Sequence, residues 1–587
     1  MDDLILGYYE SEMRYLREAG KEFAKIHPDR ANLLNLDNVG DRDPYVERLF
    51  EGFAFLTGRL RQKIDDDLPE LTESLVTLLW PHYLRLIPSL SIVELTPNFS
   101  ILSRQELIPK GLQMQTEPVG QVGTKCPFRT TQAVTLQPIK ISQVNLGINH
   151  DGRSMITIRL SFSELADLEQ LDLSCLRLYL NADAPIASNL HLALTQQIAS
   201  IAIRYSNNPE NKFELNGKIT PVGFSDEDRL WLKADNAFSG YQLLLEYFAF
   251  REKFMFVDLH GLDSCQLSDS CSYIDIEIVL NQTWPSDMPL QNDNICLHCV
   301  PVINLFDMEA DPIVVNQLES EYLLRPLLRQ DGHIEVYSVE HVESITRDGR
   351  YRYVPFTSFK HRGGMLRHDA PERYYHTRVR KGASGLHDTW LILGGKIWDK
   401  NELLETETLS LRVTGTNGML PRKSLRNARI NDLKDSNSNI AKVRNLCSPT
   451  MPCYPPTEDR FYWRVLSHLA PNYLSLMNAE VLRGTLALYD WTDNELNRRR
   501  LEGIVEVTHR MIKRTVKGML QRGIEIEVTI NSYQFTGEGD VRLFGELLHQ
   551  FFALYADVNL FTQLVMIILP TGNKIVWNQS KASKIAL

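Results

Sequence analysis

Apolar residues recur at steps of three and four through roughly the first eighty positions, and at every second position over much of the remainder. In the first region Val46, Leu49, Phe53, Leu56, Leu60 and Ile64 draw one apolar stripe, while Glu47, Arg48, Glu51, Arg61 and Lys63 occupy the other face. That spacing predicts an amphipathic helix over 44–68. Asp43 and Pro44 start it, because a carboxylate caps free backbone N–H groups and proline at the first helical position gives up no helical hydrogen bond. An earlier helix is predicted over 4–26, with Tyr9, Met13, Leu16 and Phe23 on its stripe, ending before Pro28. A third is predicted over 70–80, between Pro69 and Pro81. Three such helices can bundle on one another, or one stripe can pack against another subunit. In the second case Leu49, Phe53, Leu56 and Leu60 are the partner-binding candidates.

From about residue 90 the period becomes two. Met155, Thr157 and Arg159 alternate with Ile156, Ile158 and Leu160, and Ile274, Ile276 and Ile278 alternate with Asp275 and Glu277, as in half-buried strands. Asp151-Gly152, Asn216-Gly217, Asp331-Gly332 and Asp348-Gly349 supply residues that tolerate positive φ in tight hairpins. The stretch 414–457 is rich in Asn, Ser, Arg and Pro and reads as a long loop or linker. Helical segments follow over 460–469 and 479–489. The last unit reads strand, helix, strand. Ile524, Ile526, Val528 and Ile530 alternate with polar residues, Phe544, Leu547, Leu548, Phe551 and Tyr555 keep helical spacing, and 564–569 is an apolar strand.

The fold class expected is therefore multidomain α+β: a helical N-terminal region, a mainly antiparallel β middle and an α+β C-terminal domain. The divisions fall at 1–90 (helical), 91–300 (β-rich), 301–457 (β-rich or mixed, with the long loop near 414–457) and 458–587 (α+β). A chain of 587 residues is long enough for about three to five domains. Hydrophobic residues at 43% and charged residues at 23% support sizeable cores. A formal net charge of -11 provides no chain-wide attraction for nucleic acid or anionic membranes. Met1-Asp2-Asp3 begins no secretory signal, and the apolar run 564–569 is far shorter than the roughly 18 residues of a membrane helix. Eight cysteines are too sparse for a disulfide scaffold, so free thiols in the cytoplasm are expected.

Catalytic motifs are missing. Gly394-Gly395-Lys396 lacks the preceding glycine and the hydroxyl residue of a phosphate-binding loop, and no nucleophile elbow, zinc-protease helix or dinucleotide fingerprint occurs. Cys296, His298 and Cys299 offer good zinc donors, but a second pair is missing, and residues 295–303 also read as a strand with small buried thiols. Asp65, Asp66 and Asp67 lack calcium-loop spacing and read as a solvated helix end. His361, His368, His376 and His387 lack ligand spacing and read as surface or structural residues. Arg498, Arg499, Arg500, Arg510, Lys513, Arg514 and Lys517 form a basic stretch, read as an exposed face or a patch for an acidic protein partner rather than a DNA site. No catalytic residue, cofactor or metal is expected.

Short runs spread over the chain carry a resemblance. Tyr8-Tyr9, Tyr15-Leu16-Arg17, Val46-Glu47-Arg48-Leu49, Phe53-Ala54-Phe55-Leu56, Pro69-Glu70-Leu71-Thr72 and Pro81-His82-Tyr83-Leu84 begin it. Pro301-Val302-Ile303-Asn304-Leu305-Phe306, Asn472-Tyr473-Leu474-Ser475-Leu476, Phe551-Phe552-Ala553-Leu554-Tyr555-Ala556 and Asn559-Leu560-Phe561-Thr562 continue it in order. Together they resemble the TssF family, also called VasA or ImpG. Asn417-Gly418-Met419-Leu420-Pro421 departs from the family's Asn-Arg-Asp-Leu-Pro pattern, and Ala470-Pro471 interrupts a more Ser/Leu-like stretch. The resemblance implies a non-enzymatic, cytoplasmic wedge subunit of the type VI secretion baseplate, recruited to an apparatus docked at the inner membrane. It implies two TssF copies on one TssG, with TssK and TssE joining, next to the VgrG spike and Hcp tube. The rival is a hydrolase acting on cell-wall or carbohydrate substrate on a β scaffold, with Glu525 and Glu527 on one strand face as its paired carboxylates.

Overall fold

The computed structural model describes Tyr9, Glu12, Met13, Leu16, Tyr45, residues 48–57, Arg59, Val76 and most of 84–581. Within the last range it leaves out 232–238, 266, 268–270, 316–318, 328–332, 347–348, 357–372, 383–384, 396–406, 424–427, 435–436, 457–477, 517–518 and 556–559. The chain divides into two units, one of residues 1–79 with 457–470 and one of 80–456 with 471–587.

In the first unit the described positions are helical wherever the 3.6 period predicts it: Tyr9, Glu12, Met13 and Leu16, then Tyr45, 48–57 and Arg59, then Val76. Met13 and Val76 are buried, as stripe positions facing a core. The helix predicted over 460–469 lies outside the described residues.

Among the described residues the second unit is built from sheets whose strands pair antiparallel with two exceptions, Arg350–Pro355 with Arg373–Lys381 and Met519–Asn531 with Leu560–Leu569. A five-stranded sheet runs Asn208–Leu215, Ile198–Tyr205, Tyr273–Leu280, Ser154–Phe162, Ile139–Ile148. Its centre has Ile276 facing Ile158 on one side and Ile203 on the other. All three are buried, which is what the period of two demands of one sheet face. Asp151-Gly152 closes the hairpin between Ile139–Ile148 and Ser154–Phe162, with Gly152 at φ 78°.

Asn216-Gly217 does something else. It carries the chain out of this sheet into a four-stranded one, Lys218–Pro221, Phe256–His260, Cys175–Leu180, Ile295–Cys296. A Cβ on Gly217 would sit 3.0 Å from the His260 carbonyl oxygen and 2.8 Å from Leu215 Cδ2, so close packing requires glycine there, not a hairpin.

A six-stranded sheet is ordered Ile430–Leu433, Gln113–Thr116, Pro127–Thr130, Cys299–Ile303, Leu90–Pro97, Ile440–Asn445. The stretch 414–457, expected as a loop, thus supplies both edge strands. Only Ile430, Ile440 and Val443 of those strands are buried, in a core shared with Val93, Leu95, Phe128 and Val302. Two strands of four and six residues with so few inward positions present no legible alternation, and edge strands favour the polar residues that made the stretch look like a linker. An eight-stranded sheet follows, centred on Glu335–Ile345 between Glu407–Thr416 and Arg350–Pro355.

The last sheet contains the predicted strand, helix and strand. Met519–Asn531 and Leu560–Leu569 pair in parallel, Ile526 facing Leu564, and Glu538–Tyr555 crosses between them. Phe544, Leu547, Leu548 and Phe551 are fully buried along that helix, as its spacing predicts. The helix packs on Ala184–Gln196 and Ser239–Ala249 as well as on its own sheet.

Candidate partner-binding surface

The helix face singled out by periodicity points to solvent. Leu49 is 67% exposed, Phe53 62% and Leu56 62%, whereas Ala54, one position round the helix from Phe53, is 0% exposed. Leu60 lies outside the described residues. A helix ordinarily buries its apolar stripe, so three large side chains left in water on successive turns mark a surface with a missing cover.

The other candidates are occupied within the chain. Cys296 ends the strand Ile295–Cys296 and Cys299 begins Cys299–Ile303, with His298 between them at φ 55°. The Gln137 N–H donates to His298 Nε2 at 3.2 Å, so that nitrogen's lone pair is used. Burial pushes the His298 imidazole down to about 4. The Cys299 thiol donates to the Leu297 carbonyl at 3.3 Å and Cys296 to that of Asp293 at 3.4 Å. Burial, then the neighbouring Cys296, pushes the Cys299 thiol well up, away from the thiolate a metal takes.

His376 sits on Arg373–Lys381, its ring pushed down first by burial and then by Arg378. His387 starts His387–Gly395 and stacks on Tyr454 at 4.2 Å, while its backbone N–H and the Tyr454 hydroxyl both donate to buried Glu335, at 2.9 and 2.7 Å. His361, His368 and Asp65 to Asp67 lie outside the described residues.

The basic stretch is not one exposed face, contrary to its reading as a patch. Arg498, Arg499 and Arg500 lie on the helix Glu495–Glu502, and Arg510, Lys513 and Arg514 on the strand Ile504–Val516. Arg498 faces Glu502 in solvent, Arg500 is buried on Asp540, Arg510 pairs with Glu525 at 2.5 Å, and Arg514 covers the Phe561 ring at 4.1 Å. The helix turns successive arginines to different sides, and the strand alternates the rest. Glu525 and Glu527 do share a strand face, but each has its own cation: Arg510, and Lys574 at 3.5 Å. Paired carboxylates that work as acid and base differ in environment; these two are surface ion pairs.

One grouping escaped the sequence. Cys175, Asp258 and His260 are, among the described residues, the set of metal-ligand side chains whose ligand atoms lie within 4.8 Å of one another. Strand register creates it: Cys175 faces His260 across the pair, and Asp258 shares that face. Eighty-odd residues of separation hid it. Asp258 already accepts a two-pronged contact from Arg177, at 2.8 and 2.9 Å, and His260 Nε2 meets the Thr220 hydroxyl at 3.1 Å. Burial and then Asp258 push the Cys175 thiol up to about 11. The group is an arginine-carboxylate pair with neighbours, already satisfied without an ion.

Over residues 1–584 the sequence matches the family described as Type VI secretion system, TssF. Type VI secretion system component TssF1 of Pseudomonas aeruginosa is 28% identical over 631 residues, covering 100% of both chains. A chain in the cryo-electron-microscopy structure of a type VI secretion system TssK-TssF-TssG baseplate subcomplex is 56% identical, with TM-score 0.82 over 92% of this chain and 99% of that one. A chain of the baseplate complex from the type VI secretion system is 53% identical, with TM-score 0.67 over 99% of this chain and 100% of that one. These likenesses make the mostly antiparallel chain a component of the type VI secretion system. It belongs to the TssF family.

Proposed function

We propose that the chain is a structural subunit of a type VI secretion baseplate, assembling with TssG and TssK and performing no turnover. The observation that carries this reading is the uncovered stripe of Leu49, Phe53 and Leu56 on a chain 56% identical to part of a TssK-TssF-TssG subcomplex. Removing three such side chains from water stabilises an interface by about 1.5–3 kcal/mol each when fully buried. TssG or a second copy of this chain covers the stripe, two copies embrace one TssG, and TssE, VgrG and Hcp lie further out in the same assembly. Among the described residues no helix is long and apolar enough to cross a membrane, which accords with a cytoplasmic subunit that reaches the membrane only through its complex.

The test is co-purification. Leu49→Asp and Leu56→Asp, made separately in the full chain, keep the wild-type melting temperature, because both side chains are already exposed, and lose TssG. Leu60→Asp, in the same series, loses TssG with them. Variants that retain both TssG and the second copy of this chain at the wild-type level remove the stripe from the interface. A wild-type chain that recruits neither TssG nor TssK overturns the assembly reading itself.

A further inference from the structure

The strand Ile504–Val516 stands at the edge of the last sheet and pairs on one side only, with Met519–Asn531. The helices Ala479–Ala487 and Glu495–Glu502 pack against it without bonding to its backbone. Among the described residues no backbone group of 506–516 bonds to anything beyond Met519–Asn531, so its outward N–H and C=O groups form an open row. Sheets ordinarily blunt such a row with short strands, prolines, bulges or lysines. Here the strand is 13 residues long, contains no proline, and shifts register only at Ile504/Glu506, which leaves the rest regular. It does hold a lysine, Lys513. A lysine placed only to deter pairing has no need of a cation opposite it, and this one has such a neighbour.

Register sets the arrangement. Lys513 lies directly opposite Arg522, Met511 opposite Ile524 and Thr515 opposite Leu520. Both cations are exposed, and neither has an ion pair or hydrogen bond with any described residue. Like charges directly opposite destabilise a sheet, and a counter-charge from outside offsets that cost. The face has no acid of its own: from Val507 to Thr515 on one strand and from Leu520 to Ile530 on the other, no position on it is Asp or Glu. Glu525 and Glu527 lie on the opposite face, where Arg510 and Lys574 hold them. Beside the two cations Met511 is 61% exposed and Leu520 63%, although the same face buries Ile524 and Ile526. The core face of the sheet therefore runs out into solvent at the far end of the hairpin, ending in two apolar side chains around two unpaired cations.

We propose that an extended acidic segment of another baseplate subunit adds itself as a further strand along Ile504–Val516, with a carboxylate opposite Lys513 and an apolar side chain two residues away opposite Met511. Strand spacing puts both on one face, and the long Arg522 side chain reaches the same carboxylate from the next strand in. In such an addition the main-chain hydrogen bonds supply affinity and the alternate side chains supply specificity. An anionic lipid surface meets the same cations and apolar tips but leaves the open row of N–H and C=O groups without partners, which is costly away from water. The proposal rests on the assembly reading and adds a docking edge, in the unit of 80–456 with 471–587, to the apolar stripe.

Hydrogen–deuterium exchange tests it, read over 506–516 in the full chain alone and in its purified complex with TssG and TssK. The outward amides exchange fast in the free chain and at least about tenfold slower in the complex, while Met519–Asn531, already paired on both sides, does not change. Lys513→Glu separates docking from folding. It turns the repelling pair into an ion pair with Arg522, so the variant melts at or above the wild-type temperature and yet loses the protection. Arg522→Glu does the same from the other strand, and Lys513→Arg keeps the protection. A complex of wild type whose 506–516 amides exchange as in the free chain overturns the proposal, as does a Lys513→Glu complex protected like wild type. Protection by vesicles of anionic phospholipid, without protection in the protein complex, assigns the hairpin to a membrane surface and overturns it. Protection that grows with the concentration of this chain alone assigns the edge to a second copy and overturns it too. A wild-type chain that recruits neither TssG nor TssK removes this proposal together with the assembly reading, whereas recruitment without protection removes this one alone.

Discussion

Arg500 meets Asp540 in a fully buried contact, its Nε donating to both carboxylate oxygens at 3.1 and 3.0 Å. Arg251 reaches the same carboxylate, and Thr536 adds its N–H at 3.1 Å and its hydroxyl at 3.0 Å. Asn497, bonded to Arg500, also donates to the Phe248 carbonyl at 3.2 Å, so one carboxylate at the start of Glu538–Tyr555 ties that helix to Ser239–Ala249 and Glu495–Glu502.

Asp540→Asn therefore leaves the buried Arg500 and the half-buried Arg251 without their counter-charge and costs about 3–5 kcal/mol, read as a lower urea midpoint. The pH dependence goes the same way. Burial alone would raise the Asp540 carboxyl, but Arg251 and Arg500 hold it below the usual carboxylate range. Its contribution is present above the unfolded carboxylate pKa and is lost as pH falls through the depressed folded value. Asp540→Asn abolishes that part of the acid limb; an unchanged acid limb contradicts the assignment.

Legibility followed the physics of each segment. Ile156, Ile158 and Leu160 alternate against polar neighbours because one sheet face is buried, and the helix of Phe544, Leu547, Leu548 and Phe551 repeats at its own period for the same reason. The strand Ile504–Val516 was hidden because much of it carries His, Arg, Lys and Thr outward on a sheet edge. Ile430 and Ile440 were hidden by brevity. Arg500 looked like part of a basic face because nothing local announces a carboxylate forty residues away. The stripe of Leu49, Phe53 and Leu56 was readable as apolar, but period alone does not say whether a stripe faces its own core or a partner. The Cys175, Asp258 and His260 grouping arises from strand register, which no local spacing encodes.

Two buried imidazoles set a second pH window. Burial pushes His191 and His298 from 6.5 to about 4, with the Arg251 charge adding to the effect at His191. Between those values the unfolded chain holds protons that the folded chain does not, so stability falls as pH drops from about 6.5 towards about 4. Each gap corresponds to roughly 3 kcal/mol. His298→Gln keeps an acceptor for the Gln137 N–H and removes a titrating group. Urea midpoints at pH 7 and pH 5 should therefore lie closer together in the variant than in wild type. Equal spacing in both would remove His298 from the account.

Cys175 is exposed, yet its thiol should be slow to react. Its thiol, pushed up to about 11 first by burial and then by Asp258, is almost wholly protonated near pH 8, and the thiolate is the nucleophile. Iodoacetamide at pH 8 should label it more slowly than an unperturbed cysteine in a peptide. Asp258→Asn removes the repelling charge and raises the labelling rate, measured peptide by peptide by mass spectrometry. An unchanged rate would show that Asp258 does not govern this thiol.

Two helical glycines should respond in opposite directions to the same added methyl group. Gly484 lies inside Ala479–Ala487, and a Cβ built there meets nothing within 4 Å. Gly484→Ala therefore restricts the unfolded chain without crowding the folded one, and should stabilise by about 0.4–1 kcal/mol. Gly539 opens the helix Glu538–Tyr555 against Ala184–Gln196, where a Cβ would stand 2.2 Å from the Ser188 carbonyl oxygen and 2.4 Å from its carbon. Those atoms belong to another helix's backbone and cannot rotate aside. The same gain in the unfolded chain is then outweighed by overpacking of about 1–3 kcal/mol, so Gly539→Ala should lower the urea midpoint while Gly484→Ala raises it. The displacement falls one residue from Asp540, so Gly539→Ala should also shift the acid limb of stability that Asp540 supplies, and Gly484→Ala should leave that limb alone. Equal midpoints for the two variants would mean that the helices can separate at Ser188 without cost, and that the close approach does not help fix the position of Asp540.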